Sequence, residues 1–254
     1  MIKSIYQKIF SEKTRYRFHI AMRKARAFFL QGSEFYCPCC GKSSRRFLKK
    51  GNGIESREHA VCPNCGSLER SRLLFLYLKN ETEIFNNNPS ILHFAPEESL
   101  KSLLLANPNY VDVDLNPNLA TYAMDITDIR FPDGHFDFII CSHVLGHVPD
   151  EKKALSELYR VLGKGGELFL LSLMDLNSAQ TVEDDRNKSP QQKLEAYGEK
   201  DLQRLYGNDF EERIRIASVN IQKIDYREHF SAEDRQRMAL GSGSRELIYK
   251  VTKI

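Results

Sequence analysis

Four of the six cysteines form two Cys-x-x-Cys-Gly motifs. The first motif begins at Cys37 and ends on Cys40, and the second begins at Cys62 and ends on Cys65, with 21 residues between them. In each motif a tight turn presents two thiolates to one ion, and the trailing glycine supplies the positive φ that the turn needs. Two motifs complete a tetrahedral site. We therefore predict that Cys37, Cys40, Cys62 and Cys65 bind a structural zinc ion.

Two features of this cysteine segment leave other interpretations open. Cys39 is a further thiol beside the first motif, so redox chemistry at a cysteine pair and a shifted set of metal ligands are the alternatives. The residues between the motifs are rich in Lys and Arg, which form either a solvated surface or a contact with phosphates. These basic residues are Lys42, Arg45, Arg46, Lys49, Lys50 and Arg57.

A second set of candidate residues follows four short apolar runs further along the chain. In an open α/β sheet, ligands bind beyond the carboxyl ends of the strands, and these positions suit a nucleoside. Asp114 ends the second run, and its carboxylate can accept hydrogen bonds from both ribose hydroxyls. Asp112, two residues earlier on the same run, is the less favoured candidate. Asp125 and Ile126 are candidates for the adenine amino group and ring face. The other candidates are Phe94, Ala95, Pro96, Glu97, Leu115, Ser142 and His143.

His143 and His147 stand one helical turn apart just after the fourth apolar run. An imidazole can take a proton near neutral pH, so either histidine is a candidate general base. The alternative for both is that they pack or cap the crevice. A later polar stretch, at about 175–207, either contacts a second ligand or forms a solvated acidic loop. Its candidates are Glu183, Asp184, Asp185, Tyr197, Asp201 and Arg204.

The elements that must position these residues alternate between strand-like and helical patterns. The predicted strands cover 91–95, 110–114, 136–141 and 167–171, and the predicted helices lie near 99–106 and 151–162. Such alternation indicates a parallel sheet covered on both faces. A helix at 210–217 and late strands near 220–226 and 246–253 suit a seven-stranded α/β sheet. Between these parts, a polar insertion at about 175–207 is predicted to be helical and without strands.

The N-terminal section carries an excess of positive charge. A cut after Arg72 leaves 16 basic and 5 acidic residues before it, against 21 and 29 after it. From Met1 to about Leu30, apolar residues recur at helical spacing among Lys and Arg, which predicts a basic amphipathic helix. This helix either packs on the rest of the protein or a second subunit, or docks on a membrane surface or nucleic acid. The predicted division is a helical arm at 1–34, a cysteine module at 35–72 and an α/β domain at 73–254.

Composition places the chain among globular proteins. Its 254 residues, of which 41% are hydrophobic and 28% charged, are enough for one α/β domain and a small appendage. We find no run near the roughly 20 apolar residues that cross a bilayer, and Lys and Arg interrupt the apolar runs near the N-terminus. The clustered cysteines are typical of metal ligation in a reducing compartment. We therefore expect a cytoplasmic protein.

Two longer stretches carry a family resemblance. Met124 to Val148, MDITDIRFPDGHFDFIICSHVLGHV, and Leu158 to Gly166, LYRVLGKGG, resemble class I S-adenosylmethionine-dependent methyltransferases of the type 11 kind. The segment from Cys62 to Arg70 is also similar to the Cys-Pro-x-Cys-Gly-Ser-x-Glu-Arg ribbon that precedes the catalytic domain in one bacterial group. The resemblance implies a Rossmann-like seven-stranded sheet behind a zinc ribbon, S-adenosylmethionine as cofactor, and methyl transfer to an acceptor that it does not specify.

Two positions depart from the family pattern. The sequence has no glycine over residues 67–133, so Ala95 to Glu97 stand where a Gly-x-Gly loop approaches the methionine portion of the cofactor. Ala95 is small enough for close approach, and Glu97 is a candidate acceptor for the cofactor's ammonium group. Gly146 stands where glutamate is more common.

Three hypotheses about function follow. The first is methyl transfer to a small molecule or a glycan-type acceptor, with the ribbon and the basic arm helping to hold a phosphorylated or nucleotide-linked substrate. The second is an RNA methyltransferase whose basic N-terminal section follows a phosphate backbone. The third is a non-catalytic binding protein on a degenerate methyltransferase fold, for which the glycine-free first loop is the support.

Overall fold

The protein is described here from a computed structural model, which describes residues 11–51, 56–184 and 188–254. Helix α1 spans Glu12–Phe29, and the Ser11 hydroxyl caps it by accepting from the Thr14 amide. The predicted helical pattern over residues 1–10 lies outside the described ranges. Arg23 anchors α1, because its guanidinium donates to the Pro63 carbonyl at 3.2 Å and pairs with Glu98 at 2.7 Å.

The cysteine module consists of two small antiparallel ribbons. Strand β1 (Phe35–Cys37) pairs with β2 (Lys42–Ser44), and β3 (Leu48–Gly51) pairs with β4 (Ser56–Val61). The first cysteine motif forms the turn between β1 and β2, and the second follows β4. Both motifs are therefore held at the ends of hydrogen-bonded ribbons.

A seven-stranded sheet forms the centre of the molecule, in the order β12-β13-β9-β8-β5-β6-β7. Its parallel strands are β5 (Ile91–Phe94), β6 (Tyr110–Asp114), β7 (Tyr122–Ala123), β8 (Phe136–Ser142) and β9 (Leu162–Leu171). The antiparallel strand β13 (Ile248–Lys253) lies between β9 and β12 (Val219–Ile224). This arrangement confirms the predicted Rossmann-like α/β fold.

Helices cover both faces of this sheet. One core layer includes α4 (Glu151–Val161) and α6 (Phe210–Ile214), and the other includes α2 (Glu69–Glu81), α3 (Glu98–Leu104) and α7 (Ala232–Met238). Single turns of 3-10 helix occur at Leu145–His147 and Tyr226–His229. Helix α7 was not predicted from the sequence. Helix α6 ends three residues before its predicted boundary.

The polar insertion contains two short strands, so the prediction that it lacks strands was wrong. Strand β10 (Val182–Glu183) pairs with β11 (Arg204–Leu205), and helix α5 (Pro190–Tyr197) lies between them in the chain. Two-residue strands are too short to leave an alternating pattern in the sequence. An ion pair of 2.7 Å between Arg204 and Glu183 stabilises their pairing. Ser189 begins α5 with a capping box.

Buried Arg72 joins the cysteine module to the rest of the molecule. Its guanidinium donates to the carbonyls of Ala60 and Ser67 in the module and to that of Ala239 after α7, at 2.6–3.1 Å. The same group lies 4.9 Å from the ring centre of Phe47. Module residues and sheet residues therefore belong to one hydrophobic core. Within the described ranges, no helix is long and apolar enough to cross a membrane.

Candidate active site and metal centre

The four predicted zinc ligands converge on one point. The Sγ atoms of Cys37 and Cys65 lie 3.5 Å apart, those of Cys40 and Cys62 lie 3.9 Å apart, and all four lie within 4.8 Å of one another. Zinc–sulfur bonds of about 2.3 Å in a tetrahedron require sulfur separations of about this size. The donor set therefore fits a structural zinc ion.

The backbone around each pair explains why the ligands converge. The amide of Gly41 donates to the Cys37 carbonyl, and the amide of Gly66 donates to the Cys62 carbonyl, both at 2.9 Å. Both glycines have positive φ, at 67° and 77°. Cys39 is directed elsewhere, because its thiol lies 3.7 Å from the Ser71 carbonyl. The geometry supports the ligand set without Cys39.

A cavity of about 530 Å³ opens at the carboxyl ends of β5, β6 and β8. This is the edge at which an open α/β sheet binds its ligands. Most of the predicted cofactor residues line it. They are Phe94, Ala95, Asp114, Leu115, Asp125, Ile126 and His143. Leu115 is 73% exposed, and such an exposed apolar side chain on a cavity wall is suited to cover a ring of a bound ligand.

Two carboxylates of this cavity, Asp114 and Asp125, differ in their surroundings. Asp114 Oδ1 accepts from the Asn116 amide at 2.7 Å, which fixes the side chain at the end of β6. Asp125 Oδ1 accepts from both the amide and the hydroxyl of Thr127 at 2.8 Å, so this carboxylate also stabilises a local turn. Asp112 does not line the cavity; its carboxylate pairs with Lys101 and accepts from the amide and hydroxyl of Thr121.

Three predicted cofactor residues do not line the cavity: Pro96, Glu97 and Ser142. Glu97 Oε1 accepts from Arg70 Nε at 3.0 Å and from the Ser142 hydroxyl at 3.2 Å. Its other oxygen is buried 3.7 Å from His93 Nε2. The carboxylate that was expected to meet an ammonium group is therefore directed at Arg70.

Ala95 adopts the conformation that glycine normally supplies at this loop. Its φ is +46°, in the left-handed region that costs an L-residue roughly 1–2 kcal/mol. We expect Ala95→Gly to raise the free energy of unfolding by about 0.5–1 kcal/mol, because relief of this strain exceeds the added entropy of the unfolded chain. Urea unfolding checks the prediction. Ala123→Gly, in a strand, is the control and should lower stability; a similar loss at Ala95 would contradict the prediction.

His143 is held as a neutral imidazole between the cavity and the protein interior. Its Nε2 lies 2.9 Å from the Arg245 carbonyl, and since a carbonyl only accepts, Nε2 carries the proton and Nδ1 the lone pair. Burial, reinforced by the positive charge of Arg70, lowers the pKa of His143 well below its usual value. Its backbone φ of +56° adds local strain at the end of β8.

His147 lies on the next turn and faces two carboxylates. Nδ1 is 3.5 Å from Asp201 Oδ1, and Nε2 is 3.9 Å from Glu199 Oε2. Both acids come from the polar insertion. His143, His147 and Asp201 also line a second cavity, described below.

Arg204 in the insertion holds the backbone turn that carries His147. Its guanidinium, 2% exposed, donates to the carbonyls of Leu145, Val148 and Pro149 at 2.7–3.1 Å. Arg204 was grouped with the insertion, but these backbone contacts were not predicted. Its burial, which would have indicated this role, cannot be seen in the sequence.

We expect Arg204→Met to lower the free energy of unfolding by about 3 kcal/mol. The substitution leaves three carbonyls and the Glu183 carboxylate without their buried donor. Chemical denaturation measures the loss. Arg130→Met is the control, since that side chain is 75% exposed and should change stability by less than about 0.5 kcal/mol. Equal losses in the two variants would show that Arg204 is not a specific anchor.

The structure accounts for glycine at position 146. A Cβ there would lie 2.8 Å from a methyl carbon of buried Leu202 in the insertion. The Gln203 amide also donates to the Gly146 carbonyl at 2.8 Å. A glutamate would displace this contact, so Gly146 allows the insertion to pack directly on the site.

The other acidic candidates in the insertion are engaged elsewhere. Glu183 pairs with Arg204 and Arg213, and Asp184 pairs with Lys188 at 2.9 Å. Asp185 lies outside the described residues. Tyr197 is buried and does not line the cavity. Among the described members of this group, Asp201 alone lines the cavity at the edge of the sheet.

Residues 95–170, which include strands that line this cavity, match the family model described as methyltransferase domain. The predicted resemblance to class I S-adenosylmethionine-dependent methyltransferases is thereby confirmed.

Among curated relatives, the chain is 38% identical over 60 residues to the ubiquinone/menaquinone biosynthesis C-methyltransferase UbiE of Psychromonas ingrahamii, covering 24% of each chain. It is 34% identical over 90 residues to an arsenite methyltransferase of Aquipseudomonas alcaligenes, covering 35% of this chain and 24% of the relative. The matches thus span about a quarter of these relatives. A solved S-adenosylmethionine-dependent methyltransferase from Mesorhizobium loti aligns with a TM-score of 0.47 at 12% identity, over 65% of this chain and 91% of that one.

Proposed function

We propose that this protein transfers a methyl group from S-adenosylmethionine to a small-molecule or glycan-type acceptor. The observation that carries the proposal is the pair of adjoining cavities that share His143, His147 and Asp201. The first cavity has the position and lining of a nucleoside site at the edge of the sheet. The second gives an acceptor access to the same two histidines.

The residues of the first cavity suit the parts of this cofactor. Asp114 accepts hydrogen bonds from the ribose hydroxyls, and Asp125 accepts from the adenine amino group. Leu115 and Ile126 cover the adenine ring. The exposed backbone of Ala95 allows the methionine portion to approach β5 closely.

When bound, S-adenosylmethionine would supply an activated methyl group from its sulfonium sulfur to the acceptor atom, with S-adenosylhomocysteine as the leaving group. An oxygen or nitrogen acceptor also loses a proton. His147 takes this proton, because its ring lines both cavities and lies 3.5 Å from Asp201 Oδ1 and 3.9 Å from Glu199 Oε2. His143, with a lowered pKa and an engaged Nε2, instead positions the acceptor through Nδ1.

The cysteine module has a structural role in this proposal. A zinc ion bound by Cys37, Cys40, Cys62 and Cys65 has no open coordination position for chemistry. It fixes the β3–β4 ribbon, whose end forms one wall of the second cavity. The cytoplasmic location stays a prediction.

Titration of the zinc-loaded, full-length protein with S-adenosylmethionine and S-adenosylhomocysteine tests the function. We expect one-to-one saturable binding of both compounds by calorimetry, together with a rise in the melting temperature. Guanosine is the control nucleoside and should bind far more weakly, because it has neither the 6-amino group of adenine nor a methionine portion. If saturating protein showed neither heat nor a thermal shift, the result would contradict the proposed methyltransferase activity. It would favour a non-catalytic role.

A further inference from the structure

The second cavity, about 420 Å³ in volume, lies between the cysteine module and the polar insertion. Its walls come from parts of the chain that are far apart in sequence: the β3–β4 ribbon, the start of α2, the insertion and the segment before β13. We call it the acceptor cavity. This name, and the inference that follows, rest on the proposed function.

Positive charge dominates the acceptor cavity. Five basic side chains and two carboxylates, Glu199 and Asp201, line it. The basic residues are Lys50, Arg57, Arg70, Lys200 and Arg245. A cavity with this excess of cations attracts an anion, and guanidinium groups suit the geometry of phosphate oxygens.

The three arginines are fixed in place by ion pairs. Arg57 pairs with Glu69 at 2.9 Å and Arg70 with Glu97 at 3.0 Å, and neither carboxylate lines the cavity. Arg245 pairs with Glu199 at 2.8 Å and is 5% exposed. Both Arg57 and Arg70 pair through Nε, which orients the rest of each guanidinium. Such preorganisation lowers the entropy lost when an anion binds.

The two lysines complete the site from opposite walls. Lys50 lies at the end of β3, and Lys200 follows α5 in the insertion. Both side chains belong to exposed residues, so their ammonium groups can move toward a bound anion. The cavity wall contains no Phe or Tyr among the described lining residues, although base stacking on aromatic rings is typical of RNA sites. A volume of about 420 Å³ falls within the range of small-molecule sites, which favours a small acceptor over a long strand.

We propose that the acceptor cavity binds a phosphoryl group of a small methyl acceptor. The phosphate lies among the five basic side chains, and the atom that receives the methyl group lies toward His143 and His147, which both cavities share. Charge in the cavity thereby selects the substrate class, and the distance from the phosphate to the histidines selects the methylated atom.

The test uses full-length, zinc-loaded protein saturated with S-adenosylhomocysteine and titrated with inorganic pyrophosphate. We expect saturable binding whose Kd rises at least about tenfold in Lys50→Ala/Lys200→Ala, since each lysine donates a charge-assisted hydrogen bond. Lys49→Ala is the matched control. It removes the neighbouring charge on β3, which pairs with Glu58 outside the cavity, and should leave Kd within about twofold.

The outcomes separate this inference from the proposed function. Normal S-adenosylhomocysteine binding without pyrophosphate binding, or equal losses in the control and the double variant, would overturn the phosphate site and leave the methyltransferase function standing. Pyrophosphate binding to a protein that does not bind S-adenosylhomocysteine would overturn the role as an acceptor site together with the function. Tighter binding of single-stranded RNA than of pyrophosphate, with steep salt dependence and the same loss in the double variant, would replace the small acceptor by RNA.

Discussion

Cys62→Ser is expected to abolish stoichiometric zinc binding and to lower the melting temperature by about 10 °C. Removal of one thiolate leaves an incomplete tetrahedron, and structural zinc sites contribute their binding free energy to folding. The loss should reach the α/β domain, because Cys37, Cys62 and Phe47 pack in the same core as strand residues such as Ile140. A loss of about 3–5 kcal/mol corresponds to this shift in a chain of this size.

Cys39→Ser is the matched control for the zinc site. Its thiol is buried like that of Cys62 but lies against the Ser71 carbonyl and outside the cluster. We expect it to retain one zinc ion per chain, measured by elemental analysis or by release to a chromophoric chelator, with a much smaller thermal shift. The reverse result, with zinc lost from Cys39→Ser and kept by Cys62→Ser, would overturn the ligand set.

A chelator should produce the same effect on the wild-type protein. Zinc removal is expected to weaken the β3–β4 ribbon and so to disturb the acceptor cavity before the cofactor cavity, whose lining residues all lie between Phe94 and Asp201. Simultaneous loss of both cavities in one cooperative transition would contradict this order. It would show that the core around Arg72 couples the cysteine module to the sheet.

The parts of the fold that carry local patterns could be predicted from the sequence. Strands β5, β6 and β8 are short, mostly apolar runs, and their ends lie within one residue of the predicted ones. The cysteine motifs contain their own turn signals in the glycines that follow them. For this reason, the residues after each strand could be selected as cavity residues without a structure.

The parts that depend on distant contacts could not be predicted in this way. Glu97 follows β5 like a cofactor ligand, yet Arg70, 27 positions earlier, binds its carboxylate. The acceptor cavity combines Lys50, Lys200 and Arg245, and nothing in the local sequence relates these residues to one another. Likewise, a departure such as Gly146 has a physical reason only once Leu202 is known to pack on it.

Asp114→Asn is expected to raise the Kd for S-adenosylhomocysteine roughly thirtyfold, a loss of about 2 kcal/mol. The carboxylate at the end of β6 is proposed to accept hydrogen bonds from both ribose hydroxyls, and an amide of the same size replaces two charge-assisted bonds by weaker neutral ones. Calorimetric titration measures the change. Folding should be nearly unaffected, since the Asn116 amide can still donate to the remaining side-chain oxygen.

Asp112→Asn provides the opposite pattern and so tests whether the effect belongs to Asp114 itself. Asp112 is buried, pairs with Lys101 and accepts from the amide and hydroxyl of Thr121, so its substitution should lower stability by about 1–3 kcal/mol. Its cofactor Kd should stay within about twofold. If Asp112→Asn weakened S-adenosylhomocysteine binding as strongly as Asp114→Asn, the effect would come from the strand as a whole, and Asp114 would lose its proposed role at the ribose. A clear separation would locate the nucleoside at the end of β6, beside Asp114.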